Sequence, residues 1–268
     1  MKKIFFVFIL FIACACQANT SQALSAEAQD YELQSQSVLS DSLMVNIQKK
    51  IYDTFVSTMM TQKNQALLDL NDQLTALHKE KKQNLILYWQ SYLHYYNAIY
   101  HLKTQDKDNA EKQIDKGIEL LEDMENKNSE DYALLAMLQS FSMQFKSGVK
   151  APFISKNVES NAQKAEKLDA KNVRAYYVQA SNDYYTPEQY GGGKKAEKLL
   201  LKAVSLPEQS IKSPYLPSWG KEEAYEMVTK LYIKAEKWEE AKKYYQEGIE
   251  AYPNSYVISQ LATKLVGK

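Results

Sequence analysis

Apolar residues recur along most of the chain at the three-and-four spacing of amphipathic helices. The clearest stretch, residues 222–255, carries one apolar stripe before a short polar break and a second stripe after it. Ala241 and Gly248 are small residues on one face of the second stripe, and small side chains let two helices approach closely. Pro253 ends the pattern, because proline lacks an N–H group and clashes with the preceding turn. The stretch predicts an antiparallel helix pair.

Less regular versions of this unit occur upstream. Residues 38–77 predict a first helix pair, and residues 91–124 predict a second pair in which Asp108 caps the second helix. Third and fourth pairs begin near Ser129 and Val173.

The connections between the later units are long. Insertions at residues 146–152 and 186–193 stretch the turns of the third and fourth pairs, and the connection that starts at residue 207 carries three prolines. Residues 256–268 predict one last amphipathic helix that covers the apolar face left open at the end of the array.

The order of residues in the clearest unit resembles the tetratricopeptide repeat (TPR) family. The matching positions are Tyr225, Val228, Tyr232, Ala241, Tyr245 and Pro253, with Thr229 where the family usually has Gly or Ala. This resemblance implies an all-α fold, a right-handed α-solenoid of about five TPR-like helix pairs plus a C-terminal capping helix. Residues 186–200 and 217–225 also look like a variant found in exported bacterial TPR proteins, which implies a fold more than an activity.

The composition fits a helical chain and argues against nucleic acid as a partner. The 268 residues are 45% apolar, and 8 glycines and 6 prolines leave little material for the turns of an all-β fold. Lys and Arg together balance Asp and Glu at 33 each, so the net charge attracts neither nucleic acid nor an acidic membrane. Arg174 is the single arginine.

The N-terminus predicts export. Lys2 and Lys3 precede an apolar run over residues 4–13, which is too short to span a bilayer but fits a signal peptide. Cys14 and Cys16 follow this run, each in a context that resembles the lipobox of bacterial lipoproteins, in which the cysteine is acylated. The choice between the two cysteines stays open, as does ordinary cleavage that leaves a soluble secreted protein.

The predicted domains follow from this pattern. Residues 1–16 form the signal peptide, residues 17–37 a flexible linker rich in Gln, Ser and Ala, and residues 38–268 the helical repeat domain. Neither candidate cysteine is followed by Asp, and by resemblance to Gram-negative sorting signals this favours the outer membrane. We therefore expect a periplasm-facing lipoprotein whose contact with the membrane is limited to its lipid anchor.

No grouping of residues in the body predicts catalysis, a metal or a cofactor. The run from Gly191 to Lys194 lacks the flanking residues of a P-loop and is interpreted as a turn that needs positive φ. His94 and His101 lie seven residues apart, too far for the close pairing of a zinc site. We therefore expect a protein that is not an enzyme, with no cofactor.

Tyrosine is in excess, at 20 residues against 8 phenylalanines. Some tyrosines fill the aromatic core positions of the repeats, whereas others fall on the first helix of a pair, which lines the concave surface in TPR proteins. By that resemblance the concave positions are Tyr92, Tyr95, Arg174, Tyr177, Tyr184, Tyr185, Glu226, Lys230 and Lys234. Tyr and Arg are enriched where proteins hold other proteins.

Two functions follow from these patterns. The first is a non-enzymatic scaffold of the cell envelope that binds a protein or peptide partner on its concave face. The alternative is an accessory lipoprotein that binds a glycan or small molecule in a tyrosine-rich groove, because sugars stack on aromatic rings.

Overall fold

The structure, a computed structural model, describes residues 42–146, 150–209 and 211–268. The predicted signal peptide, the predicted linker, Cys14 and Cys16 lie outside the described residues. Within them the regular secondary structure is helical and contains no strand.

The helices form five consecutive pairs followed by two short helices. Their bounds are α1 Ile47–Thr61 and α2 Gln65–Lys81; α3 Asn84–Lys103 and α4 Lys107–Glu122; α5 Ser129–Ser142 and α6 Ala151–Leu168; α7 Val173–Tyr185 and α8 Ala196–Ser205; α9 Lys221–Lys234 and α10 Trp238–Ala251; and α11 Tyr256–Ser259 and α12 Ala262–Leu265. Short 3₁₀ turns at Met143–Phe145 and Glu188–Tyr190 follow α5 and α7.

The helix pairs stack one after another in chain order. Each helix from α1 to α10 packs against the next along the chain, and the first helices α1, α3, α5, α7 and α9 also pack side by side in chain order. We call this row of first helices the inner row, because the TPR resemblance implies that first helices line the concave surface. The predicted all-α solenoid of five helix pairs is confirmed.

Small residues set the close approach within the fifth pair, as predicted. Ala241 is fully buried, and a methyl group added at Gly248 would lie 3.1 Å from Cβ of Tyr225. Overpacking of this kind is destabilising, so both positions favour small side chains. Ser255 caps the following helix by accepting a hydrogen bond from the Ile258 N–H at 3.2 Å.

Three details differ from the sequence predictions. The first helix of the second pair begins at Asn84 rather than near Ser91, because apolar residues such as Ile86 and Trp89 extend its buried face. Asp106, not Asp108, caps α4, and its side chain accepts a hydrogen bond from the Asn109 N–H at 3.2 Å.

The third difference is the C-terminal cap, which is two short helices rather than one. The Leu261 N–H donates to the Ile258 carbonyl at 2.9 Å, an i to i+3 bond that tightens the chain between α11 and α12. Leu261 and Ile258 are both buried at this turn, and Ile258 packs in the hydrophobic cluster that contains Tyr225 and Ala241 of the fifth pair.

Candidate binding surface on the concave face

The connection between α8 and α9 crosses the inner row and divides it into two parts. We call residues 207–220 the strap; residue 210 is not described. The Pro214 carbonyl accepts a hydrogen bond from the Asn46 N–H at 2.9 Å, and the Ser218 N–H donates to Gln48 Oε1 at 2.8 Å. The strap therefore joins the end of the fourth pair to the start of the first pair.

The strap also binds the second pair. Trp89 Nε1 donates to the Tyr215 carbonyl at 2.9 Å, and Trp219 Nε1 donates to the Tyr88 hydroxyl at 2.7 Å. The Trp219 side chain is 3% exposed, and its ring centroid lies 6.3 Å from that of Tyr92. A buried tryptophan with its N–H satisfied makes this a packed contact, not a loose covering loop.

Arg174, on α7, binds the strap through hydrogen bonds to its backbone. Its guanidinium is 1% exposed and pairs with Glu130, with Nη2 2.5 Å from Oε1. Nη1 donates to the carbonyls of Glu208 at 2.8 Å and Trp219 at 3.0 Å. A buried charge is tolerated only when it is paired and hydrogen-bonded, and Arg174 meets both conditions.

Two predicted groove residues are therefore covered. The expectation that Arg174 and Tyr92 offer accessible side chains on the concave face is wrong, because the strap and its Trp219 occupy that space. Gly220 makes this close approach possible: its φ is +101°, and a methyl group added there would lie 2.9 Å from Cγ of Arg174.

The rest of the inner row remains open and is aromatic. Tyr95 and Tyr177 are partly exposed, and Tyr185, at the end of α7, is 64% exposed. The Tyr95 ring meets that of Phe141 edge-on, with centroids 5.1 Å apart, and the ring of Tyr184 meets that of Tyr185 at 5.0 Å. We call the surface formed by these five residues the open surface.

Sequence reasoning missed several aromatic residues of this region. Tyr96 lies between the ring of Phe55 on α1, at 5.0 Å, and that of Tyr95, at 5.4 Å. Phe141 was missed because it follows the part of α5 that matches the repeat, and Trp219 because it lies in a connection. The one available signal was the adjacent pair Tyr95 and Tyr96, which must face different neighbours on a helix.

Helix α9 brings charged residues to the edge of the open surface. Lys230 Nζ pairs with Glu226 Oε1 at 2.5 Å, and Lys234 Nζ lies 5.4 Å from the ring centroid of Tyr184. The Glu223 carboxylate accepts a hydrogen bond from the Gly220 N–H at 2.6 Å, which ties the strap to the first turn of α9. Burial raises the pKa of Glu223 to about 7, and the carboxylates of Glu222 and Glu226 add to this rise.

A small polar cavity of about 160 Å³ lies under the glycine-rich turn between α7 and α8. Gly191 and Gly193 have φ of +90° and +78°, as the sequence predicted. Asp183 Oδ2 accepts hydrogen bonds from the N–H groups of Lys195 at 2.7 Å and Ala196 at 2.8 Å. The N–H groups that would bind a phosphate at this helix start are therefore occupied by a carboxylate of the chain itself.

The two histidines of α3 have protein partners. His94 Nδ1 lies 2.7 Å from Gln113 Oε1, and burial lowers the pKa of His94 to about 4. His101 Nδ1 lies 3.1 Å from Asp106 Oδ2. Across residues 42–146, 150–209 and 211–268, no group of three His, Cys, Asp or Glu side chains is arranged to hold a metal ion.

Nor does any helix in the described part of the chain combine the length and apolar character that crossing a membrane requires.

The fold resembles a solved TPR protein. The crystal structure of TTC0263, a thermophilic TPR protein of Thermus thermophilus, superposes with a TM-score of 0.52 over 81% of this chain and 98% of that one. The chain has a TPR-like fold. Sequence identity to TTC0263 is 17%, so the likeness concerns the fold alone. No family model and no curated protein match the sequence of this TPR-like chain.

Proposed function

We propose that this protein is a non-enzymatic scaffold of the cell envelope that binds a protein or peptide partner on the open surface of its inner row. The TPR-like fold supports the role of an interaction scaffold. The observation that carries the proposal is the state of Tyr95 and Tyr177: both side chains are partly exposed, and no described residue hydrogen-bonds to either hydroxyl.

Unpaired, partly exposed tyrosines on a rigid helical row suit binding. A tyrosine offers a broad apolar ring and one polar tip, and it loses little conformational freedom on binding. The helices beneath are fixed by the strap, so the surface is largely preformed and a partner need not order it. The adjacent covered part differs, since the polar atoms of Trp89, Trp219 and Arg174 bind the strap or its neighbours.

The proposed location in the cell envelope is based on the N-terminal sequence pattern. Two lysines, an apolar run and Cys14 and Cys16 support export and acylation. Palmitate labelling of the full chain tests this part separately. We expect incorporation that disappears when both cysteines are replaced by serine, and labelling that persists in that variant would contradict acylation at these residues.

Partner binding is tested by capture from solubilised membranes with the full chain. We expect a specific copurified protein that is lost in the Tyr177→Ala and Tyr184→Ala variants. Tyr256→Ala is the matched control, because Tyr256 is 74% exposed and lies beyond the inner row. A protein that is retained equally by all three variants would contradict the proposal.

A glycan array tests the second candidate function. The exposed Tyr185, edge-on to Tyr184, leaves ring faces on which a sugar could stack. Saturable glycan binding that needs Tyr184 and Tyr185, with no protein captured, would favour that function over the first.

A further inference from the structure

A cavity of about 560 Å³ lies between the second helices of the first two pairs. Residues of α2, α3 and α4 line it, and its α3 residues include Gln90 and His94. Each of these two residues lies two positions from Tyr92 of the inner row, and two positions turn an α-helix by about 200°. The cavity therefore lies on the opposite face of α3 from the strap and is separate from both parts of the inner row.

Gln90 has an amide oxygen without a partner at this cavity. The residue is 7% exposed, and its Nε2 donates to Asn71 Oδ1 at 3.0 Å and to Thr75 Oγ1 at 2.7 Å. These two bonds fix the orientation of the amide, and no described residue donates to its Oε1. A buried acceptor that has left water is unfavourable unless another group donates to it.

His94 provides a second unpaired acceptor on the same face, and this residue is also 7% exposed. Nδ1 lies 2.7 Å from Gln113 Oε1, and because an amide oxygen only accepts, Nδ1 carries the ring proton. Burial lowers the pKa of His94 to about 4, and the charge of Lys116 adds to this fall, so the ring is neutral at pH 7. Nε2 therefore has a lone pair for which the described part of the chain supplies no donor.

Comparison with the fifth pair shows that packing alone does not require a histidine here. His94 and Gly117 have the same spacing in the sequence as Tyr225 and Gly248. A methyl group added at Gly117 would lie 3.2 Å from Cβ of His94, and one added at Gly248 would lie 3.1 Å from Cβ of Tyr225. The two residues take equivalent positions, so the second pair has an imidazole where the fifth pair has a packed aromatic ring.

We propose that this cavity, which we call the α3 cavity, binds a small neutral molecule rich in hydroxyl groups, of about the size of a monosaccharide. Its hydroxyls donate to Gln90 Oε1 and His94 Nε2, and Leu87 and Leu120 contact its C–H groups. The volume lies within the range of roughly 300–1,000 Å³ that is usual for small-molecule sites. This site goes beyond the proposed function, since it lies apart from the open surface.

The charges at the α3 cavity favour a neutral ligand. Lys116, Glu119 and Asp123 line it and are exposed. A cation at the two acceptors meets the charge of Lys116, which reaches His94, and an anion finds no donor at either acceptor. Hydroxyl groups avoid both costs, because they donate to the neutral acceptors and also to the carboxylates.

Nitrogen-15 NMR of the full chain labelled at histidine tests this inference, because the chain has three histidines. His78 and His94 line the α3 cavity, whereas His101 lies outside it and is the internal control. The neutral probes are glucose, galactose, mannose and myo-inositol, and glucosamine and glucuronate are the cationic and anionic matches. We expect at least one neutral probe to shift the His94 Nε2 signal saturably and to leave His101 unchanged.

Each other result would overturn the inference. No saturable shift from any neutral probe would leave the two acceptors to ordered water, and a larger response to glucosamine or glucuronate would indicate a charged ligand. Neither result bears on the proposed function, which is tested separately by capture with the Tyr177 and Tyr184 variants. A sugar that binds at Tyr184 and Tyr185 instead would leave the His94 signal unchanged.

Variants of the α3 cavity then locate the binding of the responsive probe by calorimetry. His94→Leu removes the acceptor and should weaken binding by about three- to tenfold, the loss of one hydrogen bond. His94→Gln keeps an acceptor at a similar reach and should bind more tightly than His94→Leu, and Gln90→Met should repeat the loss at the second acceptor. Lys112→Gln, at an exposed residue of α4 outside the cavity, should bind as wild type does. Wild-type affinity in both His94→Leu and Gln90→Met would contradict the site.

Discussion

The part of the inner row under the strap and the part that stays open are both rich in aromatic residues. They differ in how far the side chains are buried and in whether their polar atoms have partners. Under the strap, Trp219 is buried, and its N–H and the guanidinium of Arg174 have partners within the chain. On the open surface, Tyr95 and Tyr177 are partly exposed, and their hydroxyls have no partner among the described residues. The difference shows that the excess of tyrosine alone cannot separate packing from binding. The pairing of the polar atoms separates side chains that are used within the chain from those that are not, and binding by the latter is our proposal.

The largest effect is expected where the strap is anchored. Trp219→Ala removes a buried ring and its hydrogen bond to Tyr88, and should lower the free energy of unfolding by about 3–5 kcal/mol. Tyr190→Ala, at a residue 74% exposed, should change it by less than about 0.5 kcal/mol. Urea denaturation of both variants measures the contrast, and equal midpoints would mean that the strap is not a packed element.

The buried ion pair should come next. Arg174→Met leaves the Glu130 carboxylate largely buried without its cation, which should lower stability by about 3 kcal/mol. The double variant Arg174→Met with Glu130→Gln should be less destabilised than the sum of the two single variants. Additive losses in this double-mutant cycle would show that the two side chains do not interact.

A smaller effect is expected in the fifth helix pair. Ala241→Leu should lower stability by about 1–3 kcal/mol through overpacking, because Ala241 is fully buried between α9 and α10. The exposed neighbour Glu240 provides the control, and Glu240→Gln should change stability by less than about 0.5 kcal/mol. Equal melting temperatures would contradict the helix pairing.

The smallest expected effect is a change in how the free energy of unfolding depends on pH, at the residue that ties the strap to α9. The pKa of Glu223 is about 7 in the folded state and near its ordinary, lower value in the unfolded state. The unfolded chain therefore loses this proton first, and the contribution of Glu223 to stability falls as pH rises from about 4 to 7.

Glu223→Gln should remove this part of the fall, and relative to wild type it should be favoured at pH 8 by on the order of 1 kcal/mol. Denaturation midpoints at pH 5 and pH 8 provide the measurement. A variant that keeps the full slope would assign the pH dependence to other groups, such as Asp131, whose pKa burial also raises to about 7.

The fold could be predicted from sequence because its determinants are local. Ala241, Gly248 and Pro253 act within one helix pair, and the repeat spacing places the next pair against it. The break at Leu261 could not be predicted, because an amphipathic period does not distinguish a helix from two short helices joined by a 3₁₀ turn.

The division of the candidate site could not be predicted, because the strap acts over long separations in the chain. The bond from Trp89 to Tyr215 joins residues 126 positions apart, and nothing near Arg174 in the sequence indicates that residue 219 covers it. A stretch with three prolines lacks a helical period, so the sequence indicated only a long connection there. The predicted role of the remaining tyrosines in partner binding stays a prediction.

Site-directed crosslinking tests the central claim most directly, since the chain has no cysteine after Cys16. With Cys14 and Cys16 replaced by serine, one new cysteine carries a benzophenone at Tyr185 on the open surface or at Phe153 on α6, residues 64% and 71% exposed. We predict a specific adduct with an envelope protein from position 185 and none from position 153. Adducts of equal yield from both positions, or from position 153 alone, would contradict binding on the inner row.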